Sequence, residues 1–370
     1  MRVLHVLCEL RASGAEVMLR DAVPLFRSSG IEPVILSTGG SIGDFAEQYD
    51  ALKVKVLHLP FERKWRHLRA FYRLVRAAKV DLVHLHPERA NFVLAIAARA
   101  AGIPVVLTVH SVFTYEGRLK QQRRFERWVL RKLGMRHISI SASVEENERK
   151  RLKNPTTRVD NWLGPSFRPP EAKERLAART AFGVPRHAIV IATVGNCSEI
   201  KNHETVLEAL RLLAGVADRT FVYLHAGHGP MEAQERELAR DLVEVADIRF
   251  LGTVVDVRQL LWATDIFCMP SLYEGLGNAA LEAIACGVPA VLSRVPGLVE
   301  VAEPSAFVQF VEPTHTGVAA GITALLDDLS AARATNVDFA GRVRAERSAA
   351  QSVGKMIETY RLVRSTAGRG

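Results

Sequence analysis

The sequence predicts the α/β class: two Rossmann-like domains, each a parallel sheet flanked by helices. Three observations carry that prediction. Short apolar runs alternate with longer stretches of helical periodicity, as expected when strands buried on both faces are joined by crossover helices. The series of runs starts afresh after about Gly164. Between the two series lies NWLGPSFRPPEAKE, whose prolines and turn residues suit a connection between domains.

Taken in order, the strand candidates of the first half are RVLHVLC, PVILS, VKVLH, VDLVHLH, PVVLTVH and HISIS. The first of these is read as a buried strand, because its apolar stretch is too short for a signal peptide and leads straight into helix-like sequence. In the second half the candidates are AIVIATVGN, TFVYLHAG, DIRFLG, DIFCMP, PAVLS and AFVQFV. The amphipathic run SVGKMIETYRLVRS predicts a closing helix. The expected domains are residues 1–163, 164–345 and a helical segment, 346–370.

At 370 residues, 48% apolar and 24% charged, the chain has material for two large cores and is not disordered in composition. No apolar run approaches the ~20 residues of a membrane-spanning helix, and the longest candidate, FVLAIAARAAG, is interrupted by Arg99. The expected location is the cytoplasm. Cys8, Cys197, Cys268 and Cys286 lie in or beside apolar runs and form no CxxC pair. Reduced structural thiols are expected, not disulfides or zinc ligands.

The net charge is +9, and the basic excess falls in the first 165 residues. ERKWRHLRAFYRLVRAAK sets Arg66, Arg69, Arg73 and Arg76 on one helical face beside Trp65, Leu68, Tyr72 and Val75. RLKQQRRFERWVLRKLG repeats the arrangement with Lys120, Arg124, Arg127 and Arg131. Two readings stand: solvated helix faces, or a peripheral contact with an anionic membrane surface, where each basic residue contributes about 1 kcal/mol. Nucleic acid is not an expected partner, since no binding module or aromatic stacking platform accompanies the charge.

The densest chemistry lies in PSLYEGLGNAALEAIACGVP. Here a strand ends, the chain turns through Gly275, Leu276 and Gly277, and a helix starts near Asn278. Glycines allow close backbone approach, and the unpaired N–H groups of a helix N-terminus favour phosphate. Glu274 sits in the turn and Glu282 on the helix. Carboxylates repel phosphate but accept hydrogen bonds from hydroxyl groups. A sugar nucleotide carries both kinds of group.

This stretch resembles the signature of the retaining glycosyltransferases of family 4: Pro, Ser, two residues, Glu, Gly, one residue, Gly, with a second Glu after a gap of seven. The resemblance implies the GT-B fold, with two domains facing a cleft, the first binding acceptor and the second binding the sugar nucleotide. It implies transfer of a hexose to an acceptor hydroxyl, on a glycan or a lipid-linked sugar, with retention. Glu274 would then bind sugar hydroxyls and Glu282 the ribose. VGNCSEIKNHETVLEAL is similar to the family's phosphate motif, and Gly195 and Lys201 match it. Asn196 replaces the family's Arg and Cys197 its apolar neighbour, so Lys201 becomes the main cation on the diphosphate.

The same resemblance implies three further pieces. In LRASGAEVMLRDA, Gly14 corresponds to the glycine-rich turn facing the donor phosphates, with Glu16 on the helix that follows. His110, closing PVVLTVH, corresponds to a histidine near the reacting sugar carbon. The base pocket falls near GTVVDV, where Thr253 is the binding candidate. No Asp-x-Asp pair occurs, so no metal and no other cofactor is expected. His84 with His86, and His225 with His228, have metal-compatible spacing, but no carboxylate or thiol cluster joins either pair in the sequence. The alternatives are a sugar-nucleotide epimerase of the same fold and a basic scaffold, binding membrane or nucleic acid, without catalysis.

Overall fold

The computed structural model of the protein describes residues 1–62, 65–88, 90–214, 219–303, 305 and 307–367, with the backbone alone for 333–337 and 367. Arg63 and Lys64 of the first basic segment, Ala306 of the last strand candidate and residues 368–370 lie outside the described residues. The chain divides into two units, one of Met1–Trp162 joined by the chain from Ala349 onward, the other of Leu163–Ser348.

In the first unit, the described residues form a sheet of seven strands: β1 (Arg2–Leu7), β2 (Glu32–Ser37), β3 (Lys55–His58), β4 (Leu82–Leu85), β5 (Val105–Val109), β6 (Arg136–Ser139) and β7 (Thr157–Arg158). The order is β3-β2-β1-β4-β5-β6-β7, parallel throughout. It reverses between β1 and β4, the switch point at which open α/β sheets bind ligands beyond the strand ends.

The sequence of β1 accounts for its place at the centre. Leu4 and Val6 pack with Val34, Leu36, Phe71 and Leu85 on one face, while Val3 and Leu7 pack with Phe26, Ile35 and Tyr360 on the other. Alternation with both faces apolar is what a strand between two helical layers requires. The helix Gly14–Ser28 turns Met18, Leu19, Ala22, Val23 and Phe26 inward along one stripe. The closing helix Ala349–Ala367 adds Val353, Met356, Ile357, Tyr360 and Val363 to the same core.

The second unit repeats the plan with β8 (Ile189–Val194), β9 (Phe221–Ala226), β10 (Ala246–Phe250), β11 (Ile266–Met269), β12 (Ala290–Ser293) and β13 (Val308–Val311). Their order is β10-β9-β8-β11-β12-β13, again parallel, with the switch point between β8 and β11. Each strand candidate of the sequence overlaps an observed strand. Only the two-residue β7, which has no apolar run to announce it, was not predicted.

Both basic helices depart from the predicted faces. In Trp65–Ala77 the buried residues are His67, Phe71 and Val75, whereas Trp65 is 65% exposed. At 3.6 residues per turn Trp65 lies about 120° around the helix from the middle of that arc. Arg66, Arg69, Arg73 and Arg76 are exposed. In Gly117–Lys132, Arg127 does not share an outer face with Arg124. It is buried, donating from Nε to Glu148 Oε2 at 2.6 Å and from Nη2 to Glu88 Oε1 at 3.1 Å. Glu148 is fully buried and requires a counter-charge, which draws the guanidinium inward. No helix among the described residues is long and apolar enough to cross a membrane.

Candidate functional site

In the second unit the turn after β11 carries Glu274, and the helix Asn278–Ala285 carries Glu282. Gly277, at φ +75°, stands immediately before that helix, and a Cβ there would lie 2.3 Å from Leu298 Cδ2. A Cβ on Gly297 would lie 2.3 Å from the Glu274 carbonyl oxygen. Contact this close requires glycine at both places. Ser293 Oγ donates to the Ser271 carbonyl at 2.5 Å. The turn is thereby pressed against its surroundings, and Glu274 is held in place.

Across the switch point, the loop after β8 carries Gly195, Asn196 and Lys201 into the helix Glu204–Leu213. Lys201 Nζ donates to Glu274 Oε1 at 2.5 Å, with side chains 22% and 12% exposed. Two further links join the same loops. Leu272 N–H donates to the Ile200 carbonyl at 2.8 Å. Asn202, at φ +56°, donates from Nδ2 to the carbonyls of Pro270 and Pro313 at 3.1 and 3.2 Å. The contact sets a carboxylate acceptor beside a cation suited to phosphate.

The other predicted residues of this unit lie around those loops. Gly275 and Leu276 are buried, Asn278 and Glu282 half-buried, and Asn196 and Thr253 exposed. Thr253 follows Gly252, whose carbonyl accepts the Gly227 N–H at 2.9 Å. Gly195 N–H donates to the Ala226 carbonyl at 2.9 Å, and a Cβ on Gly227 would lie 1.8 Å from the Gly195 oxygen. Asn202, Gly227 and Gly297 were missed from the sequence. The one available signal was an Asn two residues before a helix, since Asn tolerates positive φ better than most residues.

In the first unit Gly14 opens the helix after β1, and Glu16 is buried. Ser13 Oγ donates to its carboxylate, and Tyr49 Oη donates to its carbonyl at 2.9 Å. Burial raises the Glu16 carboxyl, against the Ser13 hydrogen bond. His110 follows β5, and its Nε2 lies 3.1 Å from His86 Nδ1, while His86 Nε2 lies 3.2 Å from His5 Nδ1. Three imidazoles thus run in line from β1 past β4 to the end of β5. Burial pushes His110 down to about 4 and His5 to about 3, so both are neutral near pH 7. A small cavity beside His86 and His110 is lined also by Met18, Thr108, Asn161 and Trp162.

The histidine pairs of the sequence separate in the structure. His84 is bonded at both ring nitrogens, to Tyr360 Oη and Thr108 Oγ1 at 2.6 Å each, leaving no lone pair for a metal. His228 is exposed and bonded to Glu232, away from the buried His225. The expectation that no carboxylate or thiol joins His225 is corrected: Cys197, His203 and Glu235 surround it. The correction arises because β8, β9 and the helix starts beyond them converge in space while their residues are far apart in sequence.

Two family models match the chain in succession. One, described as glycosyl transferase 4-like domain, covers residues 13–162, and one described as glycosyl transferases group 1 covers 188–328. The Bacillus subtilis (strain 168) protein named as glycosyltransferase EpsF is 29% identical over 79% of this chain and 79% of its own length. The UDP-Gal:alpha-D-GlcNAc-diphosphoundecaprenol alpha-1,3-galactosyltransferase of Escherichia coli is 27% identical over 63% of this chain and 62% of its own. Among solved structures, a glycosyltransferase from Rickettsia africae ESF-5 has a TM-score of 0.82 at 18% identity, covering 98% of each chain. Anabaena HepE in complex with UDP and glucose has a TM-score of 0.79 at 19% identity, covering 97% of this chain and 99% of that one. With two matched models in tandem, two sheets of the same strand order and relatives of one enzyme class, the chain belongs to the family-4 glycosyltransferases and has the GT-B fold.

Proposed function

We propose that the protein moves a hexose from a nucleoside diphosphate sugar to an acceptor hydroxyl with retention of configuration and without a catalytic metal. The observation that carries this reading is the Lys201–Glu274 contact at the switch point of the second unit, with Glu282 on the helix that follows the glycine turn. Glu274 accepts hydrogen bonds from the sugar hydroxyls, and Glu282 accepts from the ribose. Lys201 and the N–H groups at the start of Asn278–Ala285 take up charge on the diphosphate. From the first unit, the family resemblance makes Gly14 the candidate for the donor phosphates and His110, neutral, the candidate for the sugar. Asn196 and Thr253 complete the nucleotide contacts.

In the transfer, the bond from the anomeric carbon to the phosphate oxygen breaks and a bond to the acceptor oxygen forms on the same face. The departing diphosphate takes the acceptor proton. No carboxylate attacks carbon, so the rate comes from positioning and from stabilising negative charge on the leaving group. The galactosyltransferase relative acts on a diphosphoundecaprenol-linked sugar by name, which supports a lipid-linked acceptor here.

A second part of the reading concerns the membrane. The helix Gly117–Lys132 exposes Leu119, Phe125 and Trp128 next to Arg118 and Arg124, and the helix Trp65–Ala77 exposes Trp65 with its four arginines. Apolar side chains among basic ones suit the interface of an anionic bilayer. Screening hydrolysis of UDP, GDP and ADP sugars, with and without acidic vesicles, tests both parts. Hydrolysis of one donor series is expected, together with loss of nucleotide affinity in Glu282→Ala. No turnover of any donor, or a product epimerised but not cleaved, would overturn the transferase reading.

A further inference from the structure

The second unit contains a buried cluster that the proposed transfer does not use. Cys197, in the loop after β8, presents Sγ 3.2 Å from Nε2 of His225, which is in β9. His203, immediately before the helix Glu204–Leu213, presents Nδ1 3.3 Å from Oε1 of Glu235, in the helix Glu232–Arg240. Glu235 Oε2 lies 3.9 Å from His225 Nε2. One ligand atom from each of the four residues lies within 4.8 Å of all the others, and all four residues are buried.

A hydrogen-bonded core cluster would leave each of these atoms with a partner, and this one does not. His203 Nδ1 and Glu235 Oε2 lack a well-aligned hydrogen bond and meet only other members of the cluster, Glu235 Oε1 at 3.3 Å and His225 Nε2 at 3.9 Å, although their side chains are only 4% and 1% exposed. Orphaned polar atoms at such depth are costly and rare. Both lie on residues of the cluster. A tetrahedral zinc site with bonds of about 2.0–2.3 Å has ligand-to-ligand edges of about 3.3–3.8 Å; Cys197 Sγ–His225 Nε2 at 3.2 Å and His203 Nδ1–Glu235 Oε1 at 3.3 Å are close to that length, and the other separations, all within 4.8 Å, need to contract by an ångström or less.

The surroundings match as well. His225 Nδ1 is hydrogen-bonded to Thr193 Oγ1 at 2.9 Å, and that oxygen to Tyr223 Oη at 2.7 Å. Such an outer contact on the second ring nitrogen fixes the ring and leaves Nε2 to bind. The first unit offers a contrast, because the three histidines gathered there include His84, whose nitrogens both pair with hydroxyl groups outside the cluster, whereas His225 Nε2 pairs with Cys197 Sγ, itself a candidate ligand.

We propose that Cys197, His203, His225 and Glu235 bind a zinc ion as a structural site with four protein ligands. One thiolate, two imidazoles and one carboxylate form a borderline donor set that suits zinc rather than magnesium or calcium. With every position taken by protein, the ion has no open coordination site and takes no part in bond breaking. It ties the segment from Cys197 to His203, which carries Lys201, to β9 and to the helix Glu232–Arg240. The inference is independent of the donor and acceptor proposed above.

Elemental analysis of the purified chain, followed by chelator treatment and titration with zinc or cobalt, tests it. One equivalent of zinc per chain is expected, and cobalt is expected to give tetrahedral d–d bands with a thiolate charge-transfer band. Cys197→Ser should lose the charge-transfer band. Glu235→Gln, which keeps the side-chain volume, should weaken zinc binding at least tenfold. Zinc should raise the thermal midpoint of the chelator-treated wild type and not that of Cys197→Ser. Wild-type protein that takes up neither metal at micromolar concentration overturns the proposal without reference to any variant. So does unchanged zinc binding in both variants.

Discussion

Lys201 Nζ and Glu274 Oε1 stand 2.5 Å apart across the switch point of the second sheet, joining the loop after β8 to the turn after β11. The two residues proposed for opposite parts of the donor, its diphosphate and its sugar, therefore form one ion pair.

Each partner is expected to respond to loss of the other. Glu274→Ala should lower turnover by roughly 10² or more while leaving affinity for the free nucleoside diphosphate unchanged or tighter, because Lys201 is released toward phosphate. Lys201→Ala should weaken the same ligand by about 1.5–3 kcal/mol. As the residues are in contact, the double variant should lose less than the sum of the two. Steady-state kinetics and calorimetry on the three variants measure this, and strictly additive losses would refute the coupling.

Asn196 stands exposed where the family's motif has Arg. Asn196→Arg is expected to recover part of the activity lost in Lys201→Ala, since a guanidinium can engage phosphate oxygens through two N–H groups. The double variant is compared with Lys201→Ala using a soluble donor. Identical rates in the two would mean that the side chain at 196 does not reach the diphosphate.

Gly227→Ala should destabilise the second unit by about 1–3 kcal/mol or more, because overpacking forces the backbone to move. The added Cβ would stand 1.8 Å from the Gly195 carbonyl oxygen, on the strand end that feeds the Lys201 loop. Gly354→Ala is the control: its Cβ meets nothing within 4 Å, and it lies inside the helix Ala349–Ala367. Alanine there should stabilise by about 0.5–1 kcal/mol. Denaturant unfolding of the two variants should give shifts of opposite sign.

Stability of the first unit should fall on acidification below pH 6.5. Burial lowers His5 and His137 to about 3 and His110 to about 4, and pushes His84 and His86 well down, all from an ordinary value of 6.5. Between those values the unfolded chain takes up protons that the folded chain refuses. The contribution is complete above pH 6.5 and is lost as pH drops toward 4, at no more than about 1.4 kcal/mol per pH unit for each imidazole. Thermal midpoints from pH 7.5 to 5 should decline, and His137→Gln should reduce the slope. A level profile across that window would contradict the assignment.

The sequence by itself determined the class of the fold and the local half of the site. Strand alternation and helical periodicity are properties of neighbouring residues, so all twelve strand candidates could be read from the runs, and β7, with only Thr157 and Arg158, could not. Glu274 and Glu282 were legible for the same reason, because one strand, turn and helix hold both.

Only the tertiary structure decided which residues from distant segments meet. Lys201 and Glu274 are 73 positions apart and touch because the sheet order places β8 beside β11. Cys197, His203, His225 and Glu235 surround one point because β8 also lies beside β9, with their following helices packed behind the strand ends. Arg127 looked like a member of a solvated stripe until the fold buried Glu148 beneath it and required a counter-charge. Periodicity fixes which face of an element is apolar, whereas contacts between elements depend on strand order, and no local pattern in the chain encodes that order.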